Sequence, residues 1–135
     1  MLIQKINNIN AMSDRIELYN MDYYSFIDSN SGFDNHRLLF IDPPYYKNGK
    51  ELYVHYFEKN EHVKLAIKLN KMRKSHKWIL TYDNCLEIQE IYKFSKRKEG
   101  GLNYSIAGNK LKKELIFFSD IMKIKSGKFG HIQFN

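Results

Sequence analysis

Four apolar residues, Leu38-Leu39-Phe40-Ile41, run without interruption into Asp42-Pro43-Pro44-Tyr45, and no other segment constrains the fold as tightly. A short unbroken apolar run is the pattern of a strand buried on both faces of a parallel sheet. Two consecutive prolines cannot continue a ladder, because neither has an N–H to donate and each fixes its own φ. The strand therefore ends at Asp42, and a stiff loop follows at its carboxyl end. In open α/β sheets that edge is where ligands bind.

The rest of the chain supplies neighbours for such a strand. Leu2, Ile3, Ile6, Ile9 and Met12 stand at helical spacing and predict an amphipathic helix ending near Ser13-Asp14. Ile16 and Leu18 alternate with polar residues between Arg15 and Tyr19, a short strand pattern with Asn20-Met21-Asp22 as its closing loop. Tyr23 to Asp28 suits one or two helical turns. Glu61 to Met72 reads as a helix, Trp78 to Thr81 as a second buried strand, and Leu86 to Tyr92 as a helix capped by Asp83-Asn84. Lys93 to Lys98 reads as a strand, Gly100-Gly101 as a break, and Leu115 to Phe118 as a closing strand. The segment from Lys123 onward has no assignable pattern and is expected to fray. Strands alternating with helices predict an α/β fold, with a mainly parallel sheet and flanking helices. Three loops would share its carboxyl edge: Asp22, Asp42 to Tyr46, and Asp83-Asn84. With 135 residues, 43% of them apolar, the chain can bury one core, so residues 1–135 are expected to form one domain.

Composition removes several functional classes. No run of 18 or more apolar residues and no signal-peptide pattern is present, so a soluble, cytoplasmic protein without a membrane partner is expected. The single cysteine, Cys85, excludes an internal disulfide and a multi-cysteine zinc site, and packing is its expected role. His36, His55, His62, His76 and His131 stand at no metal-ligand spacing, so no metal site is expected. The net charge of +7 is concentrated in two clusters. One is Lys68, Lys71, Arg73, Lys74 and Lys77. The other runs from Lys93 through Lys96, Arg97 and Lys98 to Lys113, interleaved with Tyr92, Phe94 and Tyr104. Such clusters attract polyphosphates by counterion release, and they also occur as ordinary solvated faces.

At the end of a strand, Asp42-Pro43-Pro44-Tyr45 would present a carboxylate and carbonyl oxygens with few donors nearby to occupy them. A fixed cluster of acceptors of this kind can grip an amine, and Tyr45 adds a flat ring for stacking. The alternative is a rigid turn that merely punctuates a strand, and the tetrapeptide alone leaves both readings open.

Beyond the tetrapeptide, the stretch Leu39-Phe40-Ile41-Asp42-Pro43-Pro44-Tyr45-Tyr46-Lys47-Asn48-Gly49-Lys50-Glu51-Leu52-Tyr53 resembles the catalytic motif and following loop of Dam-like adenine-specific DNA methyltransferases. Lys77 to Asn84, Tyr104-Ser105 and Lys113 to Phe117 are similar to later family segments, and Met12 to Tyr23 to the segment just upstream. The resemblance covers residues 1 to about 120 and implies a partial Rossmann-like methyltransferase fold. It implies S-adenosylmethionine as methyl donor and DNA as partner, with Asp42, Pro43, Pro44 and Tyr45 at a flipped adenine. It also implies Asp22, Tyr23 and Tyr53 on the cofactor side. Lys47, Lys50, Lys96, Arg97, Lys98 and Tyr104 are the candidate DNA contacts, from charge and aromatic interleaving. The glycine-rich cofactor loop, the acidic strand end and the target-recognition insert of the family have no counterpart in the sequence. A truncation, a split or decayed gene, a second chain supplying the missing half, or self-association would each account for this. A catalytic half alone is expected to hold cofactor weakly and to lack sequence choice. The competing expectation is a non-catalytic relic or partner subunit that binds nucleic acid or a complementary methyltransferase half.

Overall fold

A computed structural model describes residues 2–30, 32, 36–47, 49, 54, 56–103, 111–123, 127–129 and 132–134. The chain divides into two compact units, Met1–Gly32 and Phe33–Asn135.

In the first unit the expected amphipathic helix is α1 (Leu2–Asn10), and none of its residues is buried. A 3-10 turn, Ser13–Arg15, follows. Residues 16–20 then take no regular structure, although Ile16 has extended dihedrals and Leu18 is 92% exposed. The strand expected there is absent because alternation only creates a face, whereas a strand also requires a partner ladder, and none pairs with it among the described residues. Helix α2 (Tyr23–Ser29) is capped by Asp22, whose Oδ1 accepts from the amides of Tyr24 at 3.1 Å and Ser25 at 3.0 Å.

The second unit is built on strands β1 (Leu38–Ile41), β2 (Lys77–Asp83), β3 (Lys96–Asn103), β4 (Leu111–Phe118), β5 (Gly127–Phe129) and β6 (Ile132–Phe134). Helices α3 (Lys59–Met72) and α4 (Leu86–Ile91) flank them. The strand order is β1-β2-β4-β3-β6-β5. Among the described residues only β1 and β2 pair in parallel; the other pairings are antiparallel. The mixed α/β class stands, but the expectation of a mainly parallel sheet is corrected. Residues 104–110 are too short for the crossover that parallel neighbours need, so β4 folds back against β3. It enters the sheet between β2 and β3. The pairings leave β1, β2 and β3 running one way, which is the alternation legible in the sequence, with β4 running against them.

Strand β2 alternates strictly, with Trp78, Leu80 and Tyr82 buried and Lys77, Ile79, Thr81 and Asp83 half-buried. Across the ladder Leu80 faces Phe117 and Tyr82 faces Leu115, so one face of the sheet carries the core. Leu65, Ala66, Leu69 and Met72 form the buried side of α3, at the spacing that puts them on one helical stripe. Glu61 starts that helix by accepting from the Glu58 amide at 2.9 Å. On the opposite face of the sheet Leu38 and Phe40 are exposed, at 53% and 62%, so β1 is not buried on both sides as its composition predicts. Gly100 and Gly101 lie inside β3, paired to β4 and β6, and not at a break. Strand β3 begins three residues later than expected because Tyr92–Ser95 forms the turn that closes α4, with the Ser95 amide donating to the Tyr92 carbonyl at 2.9 Å. Among the described residues no helix is long and apolar enough to cross a membrane.

Candidate active site

Strand β1 delivers Asp42 to the carboxyl end of the sheet, beside Thr81, the next position of the parallel register after Ile41 and Leu80. The Thr81 hydroxyl donates to Asp42 Oδ1 at 2.6 Å and lies 3.4 Å from the Ile41 carbonyl oxygen. Asp42 is exposed and Pro43 buried, so the proline roots the turn while the carboxylate faces out. Among the described residues no donor reaches the second oxygen of Asp42, which leaves it for a ligand.

The next three residues are held from two strands. The Tyr45 phenol donates to Glu114 Oε1 at 2.7 Å. The Tyr46 amide donates to Asp83 Oδ1 at 2.9 Å, and the Lys47 amide reaches Asp83 Oδ2 at 3.3 Å. Asp83 and Glu114 are direct partners across β2 and β4, and Thr81 lies two residues before Asp83, so all three project from the same face. Asp83 is therefore not the cap of α4. That position is taken by Cys85, which caps through no side-chain hydrogen bond. Burial pushes the Cys85 thiol above its ordinary range, the behaviour of a packed cysteine and not of a reactive one.

From Tyr46 the loop turns toward the core face. A cavity of about 240 Å³ opens there, lined by Tyr45, Tyr46, Lys47, Gly49, Phe57, Glu58, Lys59 and His62. Rings form its walls: Tyr46 and Phe57 lie 5.0 and 5.4 Å from His62, centroid to centroid. Behind them His62, Tyr82, Tyr92 and Phe117 continue as a file of tilted rings into the core. His62 is 2% exposed, with Nδ1 2.6 Å from the Tyr82 hydroxyl. Burial lowers its proton affinity below the ordinary histidine range, against the opposing pull of Asp83, Glu61 and a hydrogen bond to the Phe57 backbone. The charged form is thus disfavoured.

Asp42, Pro43, Pro44 and Tyr45 come together as one corner. Lys47 is beside it, exposed, and its Nζ lies 3.9 Å from Glu87. Lys96 and Lys98 pair with Phe118 and Ile116 and so share the face of Thr81, whereas Arg97, opposite Phe117, projects from the other face. Lys96 Nζ donates to the Asp120 carbonyl at 3.1 Å. Asp22 and the half-buried Tyr23 belong to the first unit. Lys50, Tyr53 and Tyr104 lie outside the described residues. Among the described residues no three His, Cys, Asp or Glu side chains converge as metal ligands would. Sequence reasoning missed the roles of Thr81, Asp83, Glu114 and His62. The alternation of β2 places Thr81 and Asp83 on one face, but the partner strand that brings Glu114 opposite has no signature in the sequence.

A sheet that delivers an exposed carboxylate just ahead of two prolines, followed by two tyrosines that line an aromatic cavity, fits the class of partial Rossmann-like methyltransferase folds. The family model for D12 class N6 adenine-specific DNA methyltransferases matches residues 2–106, and the chain belongs to that family. No curated protein matches the chain.

Proposed function

We propose that the corner Asp42-Pro43-Pro44-Tyr45 grips the exocyclic amine of an adenine flipped out of DNA and directs its methylation, with S-adenosylmethionine as donor. The observation that carries this reading is the exposed carboxylate of Asp42: Thr81 fixes one oxygen, and three and four residues further on Tyr45 and Tyr46 line an aromatic cavity.

The amine of adenine is a poor nucleophile because its lone pair is delocalised into the ring. Donating its two hydrogens to the free Asp42 oxygen and to the Pro43 carbonyl draws the nitrogen toward tetrahedral geometry and localises the lone pair for attack. The N–C bond forms as the C–S bond breaks, the bonding pair leaves on sulfur, and one amine proton departs by way of Asp42 to solvent. S-adenosylmethionine supplies a methyl group made electrophilic by its sulfonium charge. The donor set suits that group, since a carboxylate and the faces of Tyr45 and Tyr46 both attract a cation. On the family resemblance, the adenosine end falls to Asp22 and Tyr23. The cavity is below the roughly 300–1,000 Å³ of drug-sized ligand sites, a scale that suits a base better than a whole cofactor. Stacking on aromatic rings at about 1–3 kcal/mol per base helps offset the cost of extrusion. Lys96 and Lys98, on the face of Thr81, supply phosphate contacts.

The test is transfer of labelled methyl from S-adenosylmethionine into mixed-sequence duplex, with the product base identified. Label at N6 of adenine, lost in Asp42→Ala while DNA affinity stays within about twofold, is the expected result. An inert wild-type chain at saturating cofactor, or label on another base, overturns the proposal.

A further inference from the structure

We propose that Asp83 and Glu114 are positioning residues, a cross-strand carboxylate clasp that sets the acceptor corner before substrate arrives. The proposal rests on the amine-methylation reading of that corner.

The loop after β1 has little means of holding itself. Pro43 and Pro44 contribute no N–H, and among the described residues three hydrogen bonds tie the next three residues to the sheet: Tyr45 phenol to Glu114, and the Tyr46 and Lys47 amides to Asp83. Every one of these loop groups is a donor, and both receivers are carboxylates, which when ionised are acceptors alone. The two carboxylates are register partners, so their Cα atoms lie about 4.5–5.5 Å apart, and Glu114 is only 9% exposed. Adjacent like charges, one of them buried, disfavour folding unless donors answer them. The loop supplies those donors. Clasp and loop therefore depend on each other: without the loop the carboxylates face one another, and without the carboxylates the loop loses the hydrogen bonds that tie it to β2 and β4.

Each contact sets something the chemistry uses. The Glu114 bond anchors the far end of the Tyr45 ring, on which the base would stack. The Asp83 bonds fix two successive peptide planes, and with them the Tyr46 ring against His62 at the cavity wall. Because the prolines make the corner stiff, a shift at Tyr45 is transmitted back to Asp42. A displacement near 1 Å at a reacting group costs about a hundredfold in rate.

The test uses the full chain with Asp83→Ala, Asp83→Asn, Glu114→Leu and Glu114→Gln. In methyl transfer to duplex DNA, Asp83→Ala and Glu114→Leu should lower kcat by about a hundredfold with KM for S-adenosylmethionine within about twofold. Glu114→Gln, which still accepts from the phenol, should recover to within about tenfold of wild type, and Tyr45→Phe should add nothing in the Glu114→Leu background. By amide hydrogen exchange, Asp83→Ala should speed Tyr46 and Lys47 by about tenfold or more while Trp78 and Phe117 keep their protection. Should the alanine variant loosen the core, Asp83→Asn decides, since its single acceptor oxygen protects one of the two amides and releases the other. Unchanged exchange at both amides, or no preference for Gln over Leu at position 114, overturns the proposal. If the wild type transfers no methyl group, the methyltransferase reading fails, and the exchange experiment still rules on the clasp.

Discussion

His62 shows how a single residue can couple the site to pH. Its ring is 2% exposed, and burial holds its proton affinity below the ordinary value of 6.5. The unfolded chain therefore binds more protons than the folded one as pH falls below about 6.5, and stability rises with pH through that window. The full contribution is present above 6.5, declines on acidification toward the lowered folded value, and then levels off. Protonation would also make both ring nitrogens donors, Nδ1 among them at 2.6 Å from the Tyr82 hydroxyl. His62→Gln keeps a polar partner for Tyr82 and does not titrate. Thermal unfolding between about pH 5 and pH 8 should give a flatter profile for this variant than for wild type, whatever its absolute stability. Parallel profiles would assign the acid sensitivity to another group. The composition did not foretell this: the five histidines show no spacing that sets His62 apart, and its packing against Tyr82 is what buries it.

The elements decide which basic residues can act together. Lys96, Arg97 and Lys98 form one cluster along the chain, but a strand alternates its side chains, so they do not form one cluster in space. The line Thr81–Ile116–Lys98 runs straight across β2, β4 and β3, which sets Lys98 two strand spacings, about 10 Å, from the residue that orients Asp42. That distance suits a phosphate flanking a nucleotide held at the corner. Lys98→Gln should lower the salt slope of DNA affinity by about one unit per lost phosphate contact, whereas Arg97→Gln should leave it unchanged. An equal loss in both variants would mean that DNA does not cross this face. The elements most legible in the sequence are those whose pattern is complete within themselves. Helix α3 carries its own stripe, β2 its own alternation, and the strand before Asp42 its own stop in two prolines. Residues 15–19 show the converse, since their alternation is real and still yields no strand without a partner.

At the scale of the whole chain, the sequence shows a succession of elements but not their lateral order. The insertion of β4 between β2 and β3 creates the Asp83–Glu114 pair from residues 31 positions apart, and no periodicity along the chain reports it. The same non-local order concentrates stability. Of the buried apolar side chains, Trp78, Leu80, Tyr82, Leu115 and Phe117 belong to the two adjoining strands β2 and β4, and Leu65 and Leu69 to the helix beneath them. In the first unit, by contrast, Ile27 is the one buried residue among those described, and α1 exposes Leu2, Ile3, Ile6 and Ile9. A helix of nine residues is below the length, roughly 12–15 residues, at which isolated helices become even marginal in water. Amides of α1 should therefore exchange close to the rate of an open chain, while those of Leu80, Tyr82 and Phe117 should open only with global unfolding. Hydrogen exchange followed by fragment mass spectrometry separates the two regions. Addition of duplex DNA should slow exchange along β3 and the corner and leave α1 unchanged. Protection of α1 comparable to that of β2 in the free chain would show that its apolar stripe is covered, and the division of stability between the units would have to be redrawn.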